Sequence, residues 1–378
     1  MNEKTRLIRS AVFLATVSMT AASWAQGFGG RGGGAPVKLS EARQVPAESH
    51  IDPNWEPPRM SWGDPVIMGH WTTDDIRNIP SSRDPDYGEV ESVSEEEFLS
   101  RAQSQERERQ NAEDREAFLR NERGTRTFGF NSKIVEPADG QKPAYNTEAH
   151  NALRANVARS GSSFSYTNDF HRFSDFSNYD RCIARGVSSG WGAAIYGNGI
   201  IVAQGPTSIS ITYEMVHETR VIPLDSRPHL SSDLKQIGGN GRGYWEGDTL
   251  VIESMGFDPT YSIDGTTPSD QFRMTERIRR VHEDMLEYRA TFEDPVTLTE
   301  PYTIRVMWTT EPDYYVWEYS CHEGNGAIGH SLSGERSWER EVAAAIAAGE
   351  EPPGRGDVYG APSADAAIYD VNSGELIQ

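Results

Sequence analysis

The sequence predicts a mainly β protein: an antiparallel meander closed as a lipocalin- or streptavidin-like barrel, with an N-terminal extended arm and a charged helix before it. Three observations carry that expectation. From about residue 162, apolar residues recur at every second position in several short runs, the period of a strand with one face on a core. Turn formers separate these runs at hairpin-length distances. No helix-length segment alternates with them, which disfavours a parallel α/β fold.

Ile209, Ile211, Tyr213 and Met215 alternate with Ser208, Ser210, Thr212 and Glu214 across Thr207–Val216. Leu286, Tyr288, Ala290 and Phe292 alternate with Glu287, Arg289, Thr291 and Glu293, and Tyr302, Ile304, Val306 and Trp308 repeat the pattern. Further strands are expected at Gly199–Gln204, Glu218–Leu224, Thr249–Ser254, Phe272–Val281 and Tyr315–Ser320. Glu246-Gly247-Asp248, His282-Glu283-Asp284 and Asp294-Pro295 supply turns between them. Closing such a meander removes its unpaired edges; a two-sheet sandwich is the alternative.

The barrel domain is expected over 161–334. Residues 26–94 read as a Gly-rich spacer, Gly27 to Pro36, and a Pro-rich arm that wraps the domain. Residues 95–160 form a charged helical segment. Within it, Glu95–Arg123 lacks Pro and Gly and carries a thin apolar stripe of Phe98, Leu99, Ala102, Ala112, Ala117, Phe118 and Leu119. Residues 335–378 read as a final helix, Glu335–Ala348, and a loose tail; Gly349 and Pro352-Pro353 stop the helix.

Residues 1–25 have the form of a secretory signal. Lys4, Arg6 and Arg9 precede the apolar stretch Ala11–Ala22, and Ser23-Trp24-Ala25 offers small residues to a peptidase, so cleavage is expected before Gln26. The alternative, a membrane anchor, would have to span about 30 Å with too short a run. No later stretch reaches the ~18 apolar residues of a membrane helix, so no integral membrane segment is expected after cleavage. The expected location is the periplasm or the medium. Losing three cations and one anion with the signal takes the net charge from −21 to −23. So acidic a chain repels phosphate backbones, and nucleic acid is not an expected partner.

Cys182 and Cys321 are the two cysteines. A compartment outside the cytoplasm permits a bridge between them. Free buried thiols, or Cys321 as a metal ligand, are the alternatives. Walker A, His-Glu-x-x-His and Cys-x-x-Cys motifs are absent. The run Gly238 to Gly243 precedes a strand, so it reads as a turn or lip rather than a phosphate loop.

Three segments concentrate reactive side chains. In the first, His217-Glu218-Thr219-Arg220 continues to Asp225-Ser226-Arg227-Pro228-His229. If the strand from Ile209 runs on, His217 shares the apolar face of Tyr213, where a satisfied core histidine is the commoner outcome. Asp225 and Arg227 flank a turn and can pair across it. The second holds Trp245 and Glu246 beside the Gly247-Asp248 hairpin. The third, Cys321-His322-Glu323-Gly324-Asn325, follows an expected strand end and is placed to line a barrel mouth. His217, His229, His322 and Glu323 are the residue types of a divalent site, but their spacing is not diagnostic, and no metal is assigned.

Several strings resemble those of a large family of exported bacterial proteins: Arg181-Cys182-Ile183, Tyr213 to Asp225, Tyr244-Trp245-Glu246-Gly247-Asp248-Thr249-Leu250-Val251-Ile252, and Cys321-His322-Glu323-Gly324-Asn325. The resemblance covers roughly residues 60–340. The family usually has Asp-Gly-Arg where this chain has Asp225-Ser226-Arg227. It supports the choice of segments and implies no particular reaction.

The leading expectation is a periplasmic or secreted enzyme doing acid–base chemistry on a small, partly apolar molecule inside the barrel. Elimination, hydration, isomerisation and hydrolysis all fit. Tyr213, Tyr288, Trp308 and Trp317 would hold the ligand. His217 and His322 would move protons, Glu246 and Glu323 would orient them, and Arg220 or Arg227 would stabilise an oxyanion. Trp245 and Asn325 complete the binding set. These residues are expected to converge on one cavity, and no cofactor is signalled. The alternative is a non-catalytic, lipocalin-like binding protein; a third reading is an interaction module using the charged helix and acidic surface.

Overall fold

The computed structural model describes residues 37–115, 123–157, 171–231, 233–311 and 314–354. The expected signal segment, the Gly-rich run Gly27–Pro36 and the expected tail beyond residue 354 lie outside them. The described chain is built on ten strands: β1 Gly69–Thr72, β2 Ile134–Glu136, β3 Gly199–Gln204, β4 Ser208–Tyr213, β5 Thr219–Pro223, β6 Asn240–Glu246, β7 Thr249–Met255, β8 Arg273–His282, β9 Met285–Glu293 and β10 Tyr302–Thr309. Three helices accompany them: α1 Glu95–Arg115, α2 Thr147–Val157 and α3 Ala327–Ala348.

All ten strands belong to one sheet, with order β5-β4-β3-β1-β10-β9-β8-β7-β6 and β2 also on β10. Every pairing is antiparallel. Two hairpins run as expected. Gly247, with φ +59, opens the β6–β7 turn, where glycine costs nothing sterically. Glu283 and Asp284 join β8 to β9 across the His282–Met285 pair.

The hydrogen-bonded path ends at β5 and at β6, and no ladder joins them. Closure by backbone pairing, as expected of a full barrel, is therefore not made among the described residues. The two edges nevertheless meet. A Cβ on Gly241 would lie 2.7 Å from Ile222, and one on Gly243 2.8 Å from Leu224. The run expected as a turn or lip thus leads into an edge strand, and Gly241 and Gly243 make room for Ile222 of β5 and for Leu224 just after it.

Period-two burial is plain in β4 and β9. The inward face holds Ile209, Ile211, Leu250, Ile252, Ile278, Tyr288, Phe292, Val306 and Trp308, all essentially solvent-free. The chain fills its own concave face. The turn Val187–Gly190 and Trp191 drop onto it: Trp191 meets the Phe292 ring edge-on at 5.2 Å, and Trp308 donates its indole N–H to the Gly190 carbonyl at 2.6 Å. Tyr288 stacks on Trp308 at 4.8 Å.

Inside this apolar layer sits one ion pair. Arg220 of β5 donates to both oxygens of Glu276 of β8, at 2.8 and 2.5 Å, and to the Ser254 hydroxyl at 3.3 Å. The Tyr288 hydroxyl donates to Glu276 at 2.9 Å. Burial by itself lowers the Arg220 pKa, but Glu276 overrides it and holds the guanidinium well above its ordinary value. Strands far apart in the sheet order are thereby clasped across the core.

The arm is not merely a wrapping. β1, expected as part of it, lies between β3 and β10, and Trp71 is 2% exposed. Arg43, fully buried, fixes the arm to α1 through Glu106 at 3.1 Å and Gln105 at 2.7 Å. α1 buries Phe98, Ala102, Gln105, Glu106 and Ala112, a helical stripe whose polar members are taken by Arg43. α3 begins at Ala327, eight residues before the expected start, and ends at Gly349 in the left-handed region. Tyr315–Ser320 is not a strand.

Candidate functional site

The expected acid–base residues do not assemble. The strand carrying Tyr213 stops there, and a tight turn at Met215–His217 intervenes, with Val216 at φ 61 and His217 at φ 42. That break throws His217 into solvent instead of onto the apolar face. Glu246 is exposed and paired with Arg277 at 2.8 Å. Arg227 is exposed and paired with Asp225, the local turn role. His322 and Glu323 are exposed in the loop before α3. Arg220 and Tyr213 are buried in the core, so neither faces a ligand; burial raises the Tyr213 hydroxyl well above its ordinary pKa. Trp245 is half-buried against the core. Among the described residues, no hydrogen bond or ion pair joins any two of His217, Arg220, Arg227, Glu246, His322 and Glu323.

The expected ligand aromatics divide the same way. Tyr288 and Trp308 are 0% exposed, whereas Trp317 is 63% exposed. His229 is occupied by the Asn240 carbonyl at 2.8 Å. His171, Glu335 and Glu339 come within 4.8 Å of one another, but Arg336 donates to both oxygens of Glu339 at 2.8 Å. That cluster reads as an ion-pair tie between α3 and the segment at His171.

One member of the expected set does line a cleft. A hollow of about 400 Å³ opens between the loop Phe176–Asp180, the segment Tyr319–Cys321 and the first turn of α3, with Asn325 on its wall. Asn325 donates its amide to the Asp180 carbonyl at 3.2 Å. The loop Cys321–Asn325, singled out in the sequence, is thus a rim of this cleft, although His322 and Glu323 are not among its lining residues.

Several local devices build the cleft. The bridge Cys182–Cys321, with Cα atoms 5.8 Å apart, pins its two sides together. The Tyr179 and Tyr319 hydroxyls share a hydrogen bond at 2.9 Å, and Tyr196 stacks on Tyr319 at 6.5 Å. Burial, then its tyrosine partners, raises the Tyr319 pKa, so this hydroxyl stays a proton-bearing donor. Glu214 anchors the segment 314–317 by accepting from the Tyr314 hydroxyl, from Gly199 N–H at 3.0 Å and from Trp317 N–H at 3.1 Å. Three non-glycine residues near this end, Cys182, Val216 and His217, hold positive φ. Met215, in the same turn as Val216, touches the Tyr179 hydroxyl through its sulfur at 3.9 Å. Strain of this kind persists where surrounding structure over-determines the backbone, and it gathers at functional sites.

Arg185, close in sequence to the bridge, is not among the residues that line the cleft. Its backbone is fixed by Gly186, at φ +83, where a Cβ would fall 1.9 Å from the Tyr261 ring. Gly186 N–H donates to Glu218 at 2.6 Å, and the Tyr261 hydroxyl donates to the Arg185 carbonyl. The Arg185 side chain is half-buried, and burial lowers its pKa, with Tyr179, Tyr261, Tyr319 and Tyr196 as its electrostatic neighbours. Sequence reading missed Arg185, Tyr179, Tyr196 and Tyr319. The available signals were an Arg-Gly pair three residues after a cysteine and the tyrosine-rich run before Cys321.

The fold and site define an antiparallel β protein with a tyrosine-lined cleft outside its filled sheet. No family model matches the chain, and no curated protein matches it. Among solved structures it is similar to a mutant of the fluorescent protein UnaG, at 12% identity and TM-score 0.20, over 36% of this chain and 87% of that one. A likeness that slight carries neither a fold nor a ligand across.

Proposed function

We propose that this chain is an exported binding protein that holds a small, partly apolar molecule in the cleft between Phe176–Asp180 and the start of α3. The observation that carries the reading is the cleft itself: about 400 Å³, walled by Phe176, Tyr179, Tyr319 and Ile328, with a few fixed polar groups. Ligand sites are commonly concavities of roughly 300–1,000 Å³ with that mix. The curled sheet, its edges meeting at Gly241 and Ile222, acts as a barrel-like scaffold. It keeps the cleft in shape rather than receiving the ligand. The acid–base enzyme expected from residue types loses its support, because His217, Glu246, His322 and Glu323 serve separate turns. The form of residues 1–25 supports export to the periplasm or the medium.

Calorimetric titration with two ring probes, 2-naphthoate and 2-naphthalenemethanol, tests the reading. At least one is expected to bind saturably at one site per chain. Ser331→Trp, which fills the cleft from the α3 surface, should melt with the wild type and lose that binding. Failure of both probes to bind, or unchanged binding by Ser331→Trp, defeats the proposal.

A further inference from the structure

The two halves of the Cys182–Cys321 bridge stand in unlike surroundings. Cys321 is on the wall of the cleft, whereas Cys182 is not among its lining residues. Both are half-buried rather than sealed in the sheet core. Cys182 holds φ at 56, a left-handed conformation that carries strain in a residue with a side chain. Besides the bridge, two backbone bonds hold it there: Cys182 N–H donates to the Tyr179 carbonyl at 2.9 Å, and Ile183 N–H to the Asn178 carbonyl at 2.8 Å. The Asn325 side-chain amide donates to the Cys182 sulfur at 3.5 Å as well as to the Asp180 carbonyl at 3.2 Å.

A disulfide opens when a thiolate attacks one sulfur and the other leaves as a thiolate. Access decides which sulfur is attacked, and the better-stabilised sulfur leaves faster. Both influences favour the same direction in this bridge. The cleft gives an incoming thiol a path to Cys321. The Cys182 sulfur already accepts from the Asn325 amide, a donor that favours the charge it acquires on leaving. Bridges with open access or strained attachment are the labile ones.

We propose that this bridge is a thiol-exchange site, at which a low-molecular-weight thiol entering the cleft is joined to Cys321. The incoming thiolate attacks the Cys321 sulfur, the Cys182–Cys321 bond breaks, and its electron pair leaves on Cys182. The Cys182 thiolate then takes a proton from water. The product is a mixed disulfide on Cys321, with no net oxidation. A second molecule of thiol, attacking the small sulfur of that product, frees Cys321 and departs as a symmetrical disulfide. The bridge is then reduced by two electrons and two thiols are oxidised. Either product unties Cys182 from the segment Tyr319–Cys321, so the cleft wall answers to the thiols around the protein. The site stands whether or not the cleft also holds a small molecule.

Brief exposure of the folded, oxidised protein to 2-mercaptoethanol, then excess N-ethylmaleimide and peptide mapping, locates both sulfurs. The mercaptoethanol adduct is expected on Cys321 and the maleimide on Cys182, in at least about tenfold excess over the reverse pattern. In denaturing urea, where the fold no longer distinguishes the two, the ratio should fall to about twofold or less. Asn325→Asp, which puts a carboxylate beside the leaving sulfur, should slow exchange in the folded protein at least about threefold. An even distribution in the folded protein, adducts mainly on Cys182, or a bridge that exchanges only as the protein unfolds overturns the proposal. An Asn325→Asp rate equal to that of the wild type overturns the part given to Asn325. The wild-type pattern needs no variant, so a misfolded Asn325→Asp does not blunt the test. Neither naphthyl probe enters it, so this proposal and the binding proposal fail separately.

Discussion

Glu276→Gln is expected to destabilise the fold by about 3–5 kcal/mol, the usual consequence of removing one partner of a buried ion pair. Glu276 is fully buried and takes two hydrogen bonds from Arg220 and one from Tyr288. Glutamine keeps the shape but not the charge. Arg220 would then be a buried cation without a counter-ion. Arg220→Met should cost a comparable amount by stranding Glu276. The double variant Arg220→Met/Glu276→Leu should recover much of the loss, because two apolar groups of similar bulk strand no charge. Urea unfolding of the four proteins measures each arm. Additive losses in the double variant would show that the two side chains act separately, against the clasp described above.

The second large effect concerns the bridge. Cys182→Ser/Cys321→Ser should lower stability by about 2–5 kcal/mol, since the bridge closes a loop of 139 residues. It should also weaken probe binding, because Cys321 lines the cleft. Thermal melting with and without reductant reads the first effect, and titration with 2-naphthoate the second. A variant that melts with the wild type and binds as well would show that the cleft does not depend on the bridge.

Much of the fold was legible because period-two burial is a strong local signal. β3 fell where expected, and β7, β8, β9 and β10 within two residues: β8 and β9 carry alternating runs, while β3 and β7 are short continuous apolar runs, Ile200-Ile201-Val202 and Leu250-Val251-Ile252. β1 was not legible: four residues among prolines give no period, and its place beside β10 is set by long-range packing around Trp71. β6 was obscured by Gly241 and Gly243, whose missing side chains are the reason that β5 can lie against it. The site was less legible still. Residue chemistry led to His217, Glu246 and Arg227, each of which a local turn or ion pair explains. Tyr179 and Tyr319 gave no comparable signal, because their hydroxyls meet across 140 residues of sequence, which only the folded chain reveals. The loop at Cys321–Asn325 was found, but as a rim rather than a catalytic edge. Where the strand from Ile209 ended decided the fate of His217. Val216 in the left-handed region is a conformation that sequence rules assign to glycine or asparagine, so nothing local announced that break.

A crystal structure of the protein with 2-naphthoate tests the binding cleft most directly. The ring should lie between Phe176 and Ile328, beside the Tyr179–Tyr319 pair. Density for the probe elsewhere, with the cleft empty, would contradict it.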